Sequence, residues 1–285
     1  MKKLIIYLGI VALVFSISNK KAEAQIVNGA YKQNDIYEKK PMPLVSVREA
    51  DVFWSKKIWR IIDLREKMNI PLYYPTHELE GRVNLISLLL QGIENGQLTP
   101  YDAQADDDFK IPMSYAQVKD RFGAKASSQE KINFDTGERE IVTVEGDISS
   151  RSLEIKQYML KEEWYFDKQT SALHVRILGI CPIREYVREG DTSGEVQRQK
   201  LFWIYFPEAR PILATNLALN PYNDARQQSF DDIFIKRMFN SYIVKESNMY
   251  NNRDISAYLI GKNAMLESKQ IEDKIFNFEQ DLWEY

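Results

Sequence analysis

Two histidines, one cysteine and a run of three aspartates are the side chains with which this chain could do chemistry. His77 opens the word HELEG, which lacks the second histidine of H-E-x-x-H, so a zinc-protease site is not written there. His174 falls on the polar side of an expected strand in which Leu173, Val175 and Ile177 are the apolar side. Asp106, Asp107 and Asp108 form a carboxylate cluster of the kind that hard cations take, but without the spacing of an EF-hand loop. The expectation for them is a solvated loop. Glu162 and Glu163 are adjacent on an expected strand, so they point to opposite faces and cannot alone make an acid–base pair. The sequence holds no G-x-S-x-G, no glycine-rich phosphate loop and no Cys/His cluster with metal-ligand spacing. It therefore offers no catalytic residue, no metal site and no cofactor site. Cys181 follows the apolar run LHVRILGI and is expected as a buried small hydrophobe. A single thiol also means that no internal disulfide staples the fold.

The first residues carry an address rather than chemistry. Lys2 and Lys3 precede an apolar run from Leu4 to Ile17, and Ala22-Glu23-Ala24 is a small-x-small cleavage site. Residues 1–24 are read as a secretory signal peptide cleaved after Ala24, too short for a comfortable membrane span. No cysteine follows the run, so a lipid anchor is not expected. The full chain has 38 basic and 41 acidic groups; without four lysines and one glutamate in the leader, 34 face 40. That acidic balance, with no basic block, argues against nucleic acid as a partner.

The elements follow from periodicity. Gln25 to Val47 reads as an extended arm, polar and carrying Pro41 and Pro43. Next comes VFWSKKIWRIIDLREKMNIPLYYP. On a 3.6-residue period Trp54, Ile58, Ile61, Ile62 and Met68 share one face, which predicts a helix ended by Pro71. Lys56, Arg60, Asp63 and Lys67 share the opposite face, and Trp59 falls on a flank that a simple amphipathic helix does not need. That flank has two explanations, a core aromatic covered by a loop or a protein contact. A second helix is expected after a Thr76 cap, with Val83, Ile86, Leu90 and Ile93 as its stripe and Gly96 as its end. Ser114 to Phe122 predicts a short third helix closed by Gly123.

The middle is β-rich. INFDTGEREIVTV predicts a hairpin around Asp135-Thr136-Gly137. LEIKQYMLKEEWYF and ALHVRILGICPI predict a second one around Asp167-Lys168-Gln169-Thr170. LFWIYF, 201–206, is a continuous apolar run suited to a central strand. Ser229 can cap a helix whose first turn holds Asp231 and Asp232. Ala264, Ser268, Ile271, Ile275, Phe278 and Leu282 make a helical seam that could dock on its own domain or on a second chain. The sum is an α+β fold, with N-terminal and C-terminal helices flanking an antiparallel β-meander. Residues 48–285 form its single domain, behind the arm 25–47.

Four long words occur in order: ADVFWSKKIWRIIDLREKMNIPLYYP, LFWIYFPEARP, SFDDIFIKRMFNSYIVKESNMYNNRDI and LESKQIEDKIFNFEQDLWEY. From about Val47 to the C-terminus the chain resembles the GldN/PorN family of Bacteroidetes gliding-motility and type IX secretion proteins. The resemblance implies a periplasmic, non-enzymatic assembly protein. It implies partnership with an outer-membrane lipoprotein of the GldK/PorK family and with copies of itself, in a large ring under the outer membrane. It also implies a connection to an inner-membrane motor pair of the GldL/GldM type. A ring subunit needs lateral surfaces. The expected contact residues are Trp54, Trp59 and Arg60 on the first helix, and the arm with Pro41 and Pro43, which could add along a partner's surface or sheet edge. Two other classes stand beside this one. A stand-alone periplasmic binding module would show a large apolar pocket lined by Tyr and Trp. An exported hydrolase would show facing carboxylates in a deep cleft.

Overall fold

The computed structural model describes residues 39–282, apart from 80, 124–126, 133–138, 145–150, 188–193, 221–222 and 224–226. For 127–132 and 139–144 it describes backbone alone. The leader, the first part of the arm and the Asp135-Thr136-Gly137 turn lie outside the described residues.

An antiparallel seven-stranded sheet organises the domain. The strands along its path are β1 (Val52–Asp63), β2 (Pro100–Asp102), β5 (Ile155–Asp167), β6 (Ala172–Val187), β8 (Phe202–Tyr205) and β11 (Tyr242–Glu246). They lie in the order β11-β1-β5-β6-β8-β2. β7 (Val196–Lys200) also pairs with β6. β7 and β8 are one run broken at Leu201, whose N–H bonds the Pro182 carbonyl. A separate hairpin joins β3 (Ser127–Ile132) to β4 (Arg139–Val144), and β9 (Leu217–Ala218) pairs with β10 (Gln228–Ser229). The six α-helices of the described residues are α1 (Ile70–Tyr73), α2 (Leu85–Glu94), α3 (Tyr115–Arg121), α4 (Phe206–Thr215), α5 (Phe230–Ile235) and α6 (Lys262–Asp281).

The segment expected to be the first helix is strand β1. Its outer half shows the period of two: Phe53, Ser55 and Lys57 are exposed while Trp54 and Lys56 are half-buried. From Ile58 to Arg60 every residue is buried, because the sheet is covered there on both faces. Met68, expected in the core, is exposed. The second helix also starts later than expected. Asn84, not Thr76, is its cap, and its side-chain oxygen accepts the Ser87 N–H at 2.8 Å. His77 is exposed on a bend.

The other caps fall where the sequence puts them. Ser114 and Ser229 both make capping boxes, with Gln117 and Asp232, at the starts of α3 and α5. Gly96 and Gly123 adopt φ of 68° and 69° just past α2 and α3. Pro207 sits in the first turn of α4, where its missing N–H costs nothing.

The core has two sides. On one side Ile62, Tyr158, Leu160, Ile180, Phe202 and Ile204 pack under α2, α4 and α5. Farther along that side, Ile58, Ile243 and Ile255 pack under α6 through Ile271 and Ile275. The C-terminal seam therefore docks on its own domain. Ser268 of that seam also accepts the Ile243 N–H at 3.0 Å, closing a donor on the edge strand β11. On the other side Trp59, Met159, Cys181, Ile183 and Trp203 form a second cluster under the loop 103–110.

Candidate protein-contact site

Trp59 is 3% exposed. Its ring lies in the second cluster, and two ammonium groups face it: Lys245 Nζ at 4.3 Å and Lys161 Nζ at 5.6 Å from the ring centroid. Lys245 is its direct partner across β1 and β11, and Lys161 its partner across β1 and β5. Both lysines are held by the aspartate run. Lys161 Nζ donates to the Asp107 carbonyl at 2.6 Å and to Asp108 Oδ1 at 3.0 Å. Lys245 Nζ donates to Asp107 Oδ2 at 2.8 Å, and Trp203 Nε1 to Asp107 Oδ1 at 3.1 Å.

So the aspartate run is not a merely solvated loop. Asp107 and Asp108 neutralise two lysines that the sheet presents on a covered face, while Asp106 binds Lys110 at the surface. Burial pushes the Asp107 carboxyl up. The Lys245 hydrogen bond, with the Lys200 and Lys245 charges and Trp203, outweighs it and leaves Asp107 below its ordinary value. Asp108, bonded by Lys161 and then Lys110, falls to about 2.

Phe109 clamps this loop down. It holds a left-handed φ of 57° and makes edge contacts with Tyr101, Trp203 and Tyr205. Its ring lies on Gly179, where a Cβ would come within 2.4 Å of the Phe109 Cζ. Only glycine leaves that room.

Arg60 points to the opposite face and is 6% exposed. Its Nε donates to Ser241 Oγ at 2.9 Å and its Nη2 to Glu272 Oε1 at 3.0 Å, tying β1 to α6. Trp54 is half-buried, its ring centroid 4.7 Å from that of Phe278. Of the sequence-picked side chains, Trp59 and Arg60 are thus covered by the chain itself. Pro41 is half-buried and Pro43 is exposed on the arm, beside Met42 and Val45, which are 73% and 74% exposed.

Cys181 is fully buried, and burial pushes its thiol up to about 12. Glu162 is buried and receives Arg237 Nη1 at 2.8 Å and Trp164 Nε1 at 3.0 Å. His174 Nε2 lies 2.8 Å from Thr170 Oγ1. A groove of about 490 Å³ opens between α6 and β5, lined by Arg60, Trp164, Lys269, Glu272 and Phe276. Its polar groups already pair with one another: Arg60 and Lys269 both bind Glu272.

Sequence reasoning did not single out the most exposed apolar side chains of the C-terminal part. Met249 and Ile260 are 90% and 88% exposed, and Tyr250, Met265, Leu266 and Phe276 are exposed as well. Arg253 joins part of this surface, with its guanidinium 4.8 Å from the Tyr250 ring and 4.4 Å from the Tyr258 ring. Met265, Leu266 and Phe276 lie off the seam that packs inward on α6. The signal was present as apolar residues in excess of that seam.

In comparison with protein families, the model of the family described as gliding motility associated protein GldN matches residues 47–284. Nothing among curated proteins matches the chain. The matched span begins at Val47, at the end of the arm, and takes in every strand and α-helix named above.

Proposed function

The chain belongs to the gliding-motility-associated GldN family, and on that premise we propose that it is a non-enzymatic structural subunit of the type IX secretion machinery. In this reading it is exported to the periplasm. There it assembles with an outer-membrane lipoprotein of the GldK/PorK type, and with copies of itself, into a ring that meets a GldL/GldM-type motor pair.

The family match across the whole domain is the observation that carries the reading. Two features support it. Charged groups of the sheet are neutralised by loops of the same chain, as in the Lys245–Asp107, Lys161–Asp108 and Glu162–Arg237 pairs. Large apolar side chains are left exposed on the arm and on the 249–266 segment, where a partner would bury them.

Light scattering on the chain, alone and co-expressed with the GldK-like lipoprotein lacking its lipid, tests this. A stable complex that grows into large particles is the expected result. A monomer that ignores the lipoprotein would sink the reading.

A further inference from the structure

The two halves of β6 are partnered differently. From Gly179 onward its outer side is paired by β8, at Gly179 and Ile180, and by β7, at Ile183 to Val187. From Ala172 to Leu178 it has β5 on one side only. Among the described residues no other strand, and no backbone hydrogen bond from another segment, reaches the outer side of that stretch. A sheet edge of this kind is a template for an added strand.

The arm passes beside this edge without pairing to it. Arg176 Nη2 donates to the Val45 carbonyl. Lys39 Nζ donates to Ser229 Oγ at 3.2 Å and pairs with Asp232. At its other end the Asp51 carbonyl accepts the Lys168 N–H at 2.9 Å, at the β5–β6 turn. Between these ties Met42, Leu44 and Val45 remain exposed.

The arm's sequence fits a strand that pairs on one edge alone. In an extended chain the backbone groups of residues i and i+2 point to the same side. Pro41 and Pro43, which lack an N–H, share one side. Met42, Leu44 and Ser46 keep their donors on the other. Such a strand adds to an edge and leaves its own outer edge blunted by proline.

Resting on the functional reading above, we propose that the β6 edge, Ala172 to Leu178, is a junction between copies of this chain. The Pro41–Val47 arm of a second copy adds to it as a short strand, displacing the first copy's own arm, which among the described residues no backbone hydrogen bond ties to that edge. The contact is heterologous: arm on one side, edge on the other. Repeated head to tail, it makes a ring or a filament rather than a two-fold dimer.

The test uses two differently tagged full chains expressed together with the lipoprotein. One carries Leu44→Cys and the other His174→Cys, and a short bis-maleimide is added; the native thiol of Cys181 is fully buried. A cross-link joining the two tags is expected. So is self-association about tenfold weaker for Leu44→Pro, which removes one donor from the pairing side. Assembled particles that yield a cross-link only when both cysteines sit in one chain would overturn the exchange while leaving the ring reading intact. Absence of any particle in the same sample would remove the ring reading, and the junction with it.

Discussion

Lys245 lies directly across from Trp59 on the neighbouring strand, its ammonium 4.3 Å from the centroid of the Trp59 ring. The ring is sandwiched into the cluster of Met159, Cys181 and Trp203, and its Nε1 has no hydrogen-bond partner. A large aromatic in this position is a core residue with a cation on its face. Trp59→Ala is expected to cost about 3–5 kcal/mol, the range for emptying a buried aromatic site. Trp59→Phe should cost clearly less, since it also removes an unpaired buried donor. Denaturant midpoints check both. Particle formation with the lipoprotein, measured well below the melting temperature, should survive either change. Loss of assembly in a variant that remains folded would instead make Trp59 a contact residue.

Gly179→Ala tests the clamp on the same face. The added methyl would meet the Phe109 ring at 2.4–2.7 Å, so the ring must move. Phe109 cannot swing freely, because Tyr101, Trp203 and Tyr205 surround it. The expected cost is about 1–3 kcal/mol, as for overpacking a filled core. Phe109→Leu in the same chain should recover part of it. A lone Gly179→Ala variant with an unchanged melting temperature would show that the loop is not clamped there.

Carboxylates held below their ordinary value set an acid limit, Asp63, Asp108 and Asp232 most strongly. Asp63 is held at about 2 by Arg65, and Asp108 at about 2 by Lys161 and Lys110, against an ordinary value of 3.8. A group whose folded value is depressed stabilises the fold above its unfolded value and loses that contribution as pH falls. Stability should therefore be level above about pH 5 and fall between about pH 4 and 2. Asp108→Asn should flatten part of that fall, by a modest amount because its side chain is 48% exposed. Urea midpoints taken across this range read it out. A curve for Asp108→Asn that overlays the parent would remove Asp108 as a source.

Strand β1 carries a helical pattern. Trp54, Ile58, Ile61 and Ile62 satisfy a helical period, yet the strand they form is covered on both faces near Ile58 to Arg60. Double coverage erases the alternation that would have marked a strand. What remained visible was composition: Val52, Phe53, Trp54, Ile58, Trp59, Ile61 and Ile62 are all strand formers. Local chemistry was legible where it is decided locally, as in the Ser114 and Ser229 capping boxes and the Asp167–Thr170 turn. Pairings across long stretches of chain were not. The Asp107–Lys245 and Arg60–Glu272 contacts join residues 138 and 212 positions apart, and no spacing rule reports them.

That long-range assembly also leaves one surface without an internal use. α6 spends Ile271 and Ile275 on the sheet, while Met265 and Leu266 stay 75% and 51% exposed and neighbouring Ile260 is 88% exposed. Side chains that stay at least half exposed contribute little to folding, so each polar replacement there should shift stability by no more than about 0.5 kcal/mol. The double variant Ile260→Lys and Leu266→Glu should therefore melt with the parent. If this surface seats the lipoprotein, the same variant should fail to form the mixed complex, because it places two charges in what would be a desolvated contact. Co-purification with the tagged lipoprotein, with melting followed in parallel, separates the outcomes. Retained binding at parental stability would assign the surface no part in that contact.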